Sequence, residues 1–323
     1  MIKIFSGIRP SGKLHLGNYL GAIKNWIDLQ HKADQAIFAV VDYHGITTPH
    51  NPETYQQQIM DVILDYLAAG IDPDKSLLIR QSKVPQHTEL GWIFNTITPV
   101  SWVDRLPTYK EQLEKTGVNN MGLLDYPVLM AADILIYKSN MVPVGEDQMP
   151  HIDLTNEIGK RFNSMFSETF EPVKANLTQG ARIMSLQDPD KKMSKTGDEG
   201  IALSDDPDAI RNKVKKAVTD SEKEIYFDEG KKPAISNLLT IYSLLSGAEI
   251  TDIENQYKGR SYVDFKSGLA EVVVKALQPF QEKRKEFENN PDKVKQILEH
   301  SEEKARELAN KTLTEVKEKM GLL

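Results

Sequence analysis

The chain has 323 residues, 40% of them hydrophobic and 27% charged, with a formal net charge of -7 and no cysteine. That length predicts two domains and a substantial core, while the acidic balance excludes indiscriminate nucleic-acid binding through global charge. The missing cysteines exclude disulfides, cysteine metal sites and thiol nucleophiles. They fit a reducing cytosol, and a cytoplasmic location is the expectation. No apolar run approaches the ~18 residues of a membrane span, and Met1-Ile2-Lys3-Ile4-Phe5 lacks the apolar segment of a secretory signal, so no membrane partner is expected.

In chain order, Ile2 to Ser6 predicts a first strand ending at Gly7, and a helix begins near Gly17 with Leu16, Leu20, Ile23 and Ile27 at helical spacing. Ala36 to Val41 is a continuous apolar run, the kind buried on both faces of a parallel sheet. Pro52 opens a helix that Gly70 stops after Ala69. Ser76 to Ile79 and Met141 to Val144 are further strand candidates. Strand-helix-strand order of this kind predicts an α/β fold with an open, doubly wound parallel sheet. Such sheets bind ligands at the carboxyl ends of their strands, where Gly7 to Gly12, Asp42 to His44 and Gly145 to Gln148 fall. After about residue 205 the strand signals fade. Helices are predicted over Pro207 to Val218, Ile235 to Leu245, Tyr262 to Leu277, Pro279 to Glu288 and Pro291 to Met320, a second, all-helical domain. Basic clusters stand at Lys191 to Lys195, Lys213-Lys215-Lys216, Lys231-Lys232 and Lys283-Arg284-Lys285, each of which also fits a solvated helix face.

Two segments carry nucleotide chemistry. Gly7, Pro10 and Gly12 make a tight loop before the first helix, where backbone N–H groups and the positive helix end attract phosphate. His15 stands just before that helix, and Gly17 leaves room for an adenine or ribose. The loop has neither the G-x-G-x-x-G fingerprint nor the Walker A pattern, which disfavours dehydrogenases and P-loop ATPases. Halfway along the chain, Lys192-Met-Ser-Lys-Thr196 sets two ammonium groups and two hydroxyls beside one polyphosphate, with Gly197 and Gly200 following. In isolation such a tetrad fits a solvated basic loop equally well.

Together these segments resemble a known family. His15-Leu-Gly-Asn18 is similar to the HIGH element, and Lys192 to Thr196 to the KMSKS loop, of class I aminoacyl-tRNA synthetases. Phe5 to Gly12, Gly17 to Ala22, Met130 to Ile134, Val142 to Gln148, Ala181 to Ser185 and Ala217 to Ser221 resemble the bacterial tryptophanyl-tRNA synthetase family in the family's order. Asn18 replaces the second histidine of HIGH, a replacement associated with this branch, and Thr196 keeps the hydroxyl of the final serine. Arg9 stands where close relatives often carry glutamine, an extra cation for the ATP phosphates or the substrate carboxylate.

The resemblance implies a Rossmann-like catalytic domain over 1–204 and a helical domain over 205–307 that reads the tRNA anticodon, with a final helix of about 308–323 packing back on the first. It implies a ligase that activates L-tryptophan with Mg²⁺-bound ATP, releases pyrophosphate and transfers tryptophan to the 3′ end of tRNA(Trp), as a homodimer. No protein-held metal site is expected. By the same resemblance Lys192, Lys195, Ser194 and His15 are catalytic. Arg9, Pro10, Ser11, Gly17, Asn18, Gly145, Glu146, Asp147, Ile183, Met193 and Thr196 join them around ATP. Asp133 receives the indole N–H between Phe5, Gly7, Met130, Val142 and Val144, with Tyr126 and Gln148 on the α-amino group and His44 nearby. From the residues alone, Asp133 within the apolar run 127–136 needs a partner, which a salt bridge or helix cap also supplies, and Phe5 and the valines fit ordinary core. Tyrosyl-tRNA synthetase shares the fold class. A paralogue that only binds tRNA or a regulator would more readily have lost a motif lysine, and a small nucleotidyltransferase leaves the helical part unexplained.

Overall fold

The computed structural model describes residues 1–177, 182–194 and 199–323. Lys195 and Thr196 of the second motif lie outside the described residues. Among those described, five parallel strands form one sheet in the order β3-β2-β1-β4-β5: β1 is Lys3–Ile8, β2 Gln35–Val40, β3 Leu77–Arg80, β4 Met141–Val144 and β5 Lys174–Leu177. The chain builds outward from β1 to β3, then returns to lay β4 and β5 on the other side. This puts the switch point, where a crevice must open, between β1 and β4. The pairing there is slight: Ile4 faces Met141, and Pro143 in the middle of β4 has no N–H to continue a ladder.

The apolar run of β2 is buried because both faces are covered. Ile4, Phe38, Val40 and Leu78 point into one apolar cluster, and Phe5, Ile37, Ala39 and Ile79 into another, the two-residue alternation of strands with a core on each side. The first cluster continues into the helices Pro207–Lys216, Pro233–Ser246 and Tyr262–Glu288. The second is closed by Gln86–Asn95, Met121–Leu135 and Met149–Met165.

The final helix, Pro291–Lys319, serves both: Val294 and Leu298 enter the first cluster, and Ala305, Ala309, Leu313 and Val316 the second. It lies along the edge strand β3, where the Glu302 carboxylate accepts from Arg80 Nε at 2.6 Å and from the Arg80 backbone N–H at 3.3 Å. The exposed ladder edge is thereby covered.

The Pro52–Ala69 helix has the ends its sequence encodes: Asn51 accepts from the Glu53 N–H at 3.0 Å, and Gly70 closes it at φ +114°. Two expectations are corrected. Tyr262 to Glu288 is one helix, unbroken by Pro279, because Val273, Leu277, Phe280 and Phe287 stay buried in the same cluster on both sides of the proline. That packing outweighs the lost backbone bond, a cost of ~3 kcal/mol. The stretch 16–30 is helical but carries a π-helical turn over Tyr19–Ile23. β5 is absent from the sequence reading, since Lys-Ala-Asn-Leu is too polar to register as a buried strand and is held by its ladder with β4.

Candidate active site

At the switch point, the carboxyl ends of β1 and β4 and the Met121–Leu135 helix enclose a cavity of about 710 Å³. Of the residues expected around the substrates, Phe5, Gly7, Arg9, His44, Tyr126, Met130, Asp133, Val142, Val144, Gly145, Glu146, Asp147 and Gln148 all line it. Strand geometry explains the set, because β1 and β4 each deliver their last residues to the same rim.

Asp133 is fully buried. Its carboxylate accepts from three side chains: His44 Nε2 at 2.7 Å, His87 Nδ1 at 2.6 Å, and Gln81 Nε2 at 2.8 and 2.9 Å from the two oxygens. Burial pushes its carboxyl upward, but His44 and His87 outweigh that and hold it at about 2. The group is an ionised acceptor. Neither Gln81 nor His87 was singled out by the sequence. A glutamine directly after an apolar strand and a histidine on a buried helix face were the available signals.

A second polar group stands on another wall. Tyr126 Oη lies 2.9 Å from Thr108 Oγ1 and 3.0 Å from His151 Nε2. Burial holds the Tyr126 phenol above its usual range, against the Thr108 hydrogen bond and the Arg9 charge. Burial and the charge of His44 push His151 down to about 4, so it is a neutral acceptor near pH 7. Thr108 and His151 both border the cavity and were also missed.

The two nucleotide segments meet beside the cavity. Leu16 N–H donates to Ile201 O at 2.9 Å and Leu203 N–H to Leu14 O at 2.9 Å, zipping the first loop to the stretch after the second motif. Met193 N–H donates to Ile183 O at 3.0 Å, and Met184 pairs with Lys192 across a short antiparallel bridge. Gly17 is the contact point: a Cβ there would sit 3.0 Å from the His15 ring and 3.4 Å from Met193 Cβ. Asn18 caps its own turn, accepting from the His15 N–H at 3.1 Å. Lys192 Nζ reaches over to Asp147 Oδ1 at 3.3 Å, and the Ser194 hydroxyl donates to Glu199. Pro10 and Ser11 continue the β1 loop, Ser11 N–H donating to Arg9 O at 2.8 Å. Ile183 and Met193 turn their side chains into the first apolar cluster rather than the cavity.

The basic clusters divide. Lys232 is buried, with Asp220 at 3.1 Å and Glu222 at 2.8 Å, so it is no surface cation. Lys213 pairs with Asp205 at 2.7 Å, and Arg284 with Asp61 and Asp65. Lys215, Lys216, Lys283 and Lys285 are exposed. Among the described residues no helix is long and apolar enough to cross a membrane.

Residues 1–278 match the family model described as tRNA synthetases class I (W and Y). A tryptophan–tRNA ligase of Bacillus anthracis is 45% identical over 326 residues, covering 100% of this chain and 98% of that protein. The tryptophanyl-tRNA synthetase structure from Mycoplasma pneumoniae superposes with a TM-score of 0.87 at 32% identity, over 99% of this chain and 98% of that one. One from Campylobacter jejuni, complexed with ADP and tryptophan, gives 0.87 at 32% identity over 99% and 100%. A parallel sheet opening at its switch point, two nucleotide segments joined at Gly17, and likeness over the whole length agree: the chain belongs to the class I tRNA synthetases (W and Y), and within them to the tryptophan–tRNA ligases.

Proposed function

We propose that this chain activates L-tryptophan with ATP and passes it to the 3′ end of tRNA(Trp). One observation carries the reading: an ionised carboxylate, Asp133, faces a cavity with Phe5, Met130, Val142 and Val144 among its walls, and Lys192 reaches Asp147 at its rim. A flat apolar ring with a single N–H matches that floor. The large pocket with one polar test rejects smaller side chains without a separate editing site.

In the first step a tryptophan carboxylate oxygen bonds to the α-phosphorus, the bond to the bridging oxygen of the β-phosphate breaks, and pyrophosphate leaves. The protein supplies position and charge rather than a covalent intermediate. Gly145 to Asp147, Arg9 to Ser11, Gly17 and Asn18 surround the nucleotide. Lys192, Lys195 and Ser194 hold the departing phosphates, and His15 donates to a phosphate oxygen. Tyr126 and Gln148 hold the α-amino group. Magnesium is proposed to enter with ATP. A cation held by phosphate oxygens and water needs at most one or two carboxylates, and Glu146 and Asp147 stand at that rim. In the second step the terminal ribose 2′-hydroxyl attacks the activated carbonyl and AMP departs.

Residues 1–204 carry this chemistry in the proposal, and 205–307 bind the anticodon arm through exposed Lys215, Lys216, Lys283 and Lys285. Because the two ends of a tRNA lie farther apart than one small domain spans, a homodimer is proposed. Exposed Trp92, Val100 and Met121 on the first domain support it. A cytoplasmic site of action fits the cysteine-free composition. Substituting the four lysines with alanine should abolish tRNA charging while leaving ATP–pyrophosphate exchange intact. Charging that survives with unaltered tRNA affinity, or a chain monomeric at working concentration, contradicts this view of recognition.

A further inference from the structure

We propose that the three donors on Asp133 divide into one exchangeable group and two fixed ones: His44 stands in for the substrate N–H, while Gln81 and His87 are positioning residues that hold the carboxylate for it. The proposal rests on the reading that Asp133 receives the indole N–H.

An ionised carboxylate accepts about four hydrogen bonds. Asp133 already has four contacts from the protein: two from Gln81 Nε2, one from His87 Nδ1 and one from His44 Nε2. A substrate N–H therefore takes over a lone pair in use. Position decides which. Gln81 and His87 are fully buried and do not border the cavity, whereas His44 does.

The two buried donors are also braced from behind. Gln81 Oε1 accepts from the Tyr43 N–H at 3.1 Å. His87 Nε2 lies 2.7 Å from Tyr137 Oη, and the Tyr137 ring stacks on Phe5 at 5.7 Å between centroids. Because a carboxylate only accepts, His87 Nδ1 carries the proton that faces Asp133, and Tyr137 holds the other ring nitrogen. The chain Tyr137–His87–Asp133 fixes one oxygen from the protein side. His44 meets Tyr126 edge-on at 6.3 Å, and both residues line the cavity.

The test is ATP–pyrophosphate exchange with tryptophan and with its benzothiophene analogue, in which sulfur replaces the ring N–H. The ratio of their kcat/KM values is the readout, and inactive protein in a preparation cancels from it. The unsubstituted enzyme should favour tryptophan roughly ten- to a hundredfold, as for a hydrogen bond to a charged group. His87→Leu should collapse the ratio towards one, and the milder Tyr137→Phe should lower it by a smaller factor. His44→Ala should raise it, because tryptophan then displaces no donor, whereas the analogue never did. A ratio unmoved by His87→Leu, or one unchanged or lowered by His44→Ala, overturns the proposal. A ratio near one in the unsubstituted enzyme instead overturns the underlying assignment of Asp133, a separate result.

Discussion

Lys192 and Asp147 meet at the rim of the cavity, the ammonium nitrogen 3.3 Å from Oδ1, although 44 residues separate them along the chain. Both side chains are about half exposed. Such a pair contributes only ~0–1 kcal/mol, so a triphosphate with several negative oxygens can draw the lysine away cheaply. The contact brings Lys192 of the second motif to the turn that follows β4.

From this follows the effect of Lys192→Ala. The ammonium is proposed to meet charge that develops on the leaving pyrophosphate, an interaction stronger in the transition state than before it. Adenylate formation in a single turnover should slow on the order of a hundredfold, while tryptophan affinity changes little. An unchanged rate would reduce the motif to a basic surface loop.

Asp133→Ala should injure both recognition and stability. It removes the acceptor proposed for the indole and leaves His44, His87 and Gln81 without their partner. Breaking a buried charged network costs ~3–5 kcal/mol, readable in urea unfolding, and ATP affinity should be spared. The native enzyme carries the matching pH signature. A carboxyl held at about 2, below its ordinary 3.8, contributes stability that is present above pH ~4 and is lost as pH falls towards ~2, roughly 2 kcal/mol in all.

His151 acts in a higher window. Its folded value of about 4 lies below its ordinary 6.5, so the unfolded chain binds the proton first. Stability from this group is full above pH ~6.5 and declines as pH falls towards ~4. His151→Asn should flatten that part of the stability curve relative to the unsubstituted protein. Parallel curves through this window would show that His151 is charged in the fold.

The final helix should depend on one carboxylate. Glu302→Ala strips Arg80 of its bidentate partner at the edge of β3 and should cost roughly 3 kcal/mol, near the low end for buried pairs because Arg80 keeps some contact with water. Lys295→Ala on the same helix breaks an exposed contact to Glu299 and should change stability by less than ~0.5 kcal/mol. Equal effects would show that the Arg80 contact does not anchor the helix.

What was legible in the sequence was mostly local. The 52–69 helix announces both its ends through Asn51, Pro52 and Gly70, and Met141 to Val144 was bounded correctly because a short apolar run between polar neighbours has few other uses. Pro279 misled because its cost is local while the packing of Phe280 and Phe287 that offsets it is not. In the site, motif resemblance assembled the cavity lining from β1, β4 and the 121–135 helix. Gln81 and His87 stayed invisible because the carboxylate they hold, Asp133, is roughly fifty residues away and no spacing rule links them.

The central claim is that the Asp133 cavity selects one amino acid for activation by ATP. ATP–pyrophosphate exchange, run with each of the standard amino acids in turn, tests it most directly. The account predicts exchange that depends on tryptophan and is far weaker with tyrosine or phenylalanine. Exchange supported by tyrosine as well as by tryptophan would contradict it.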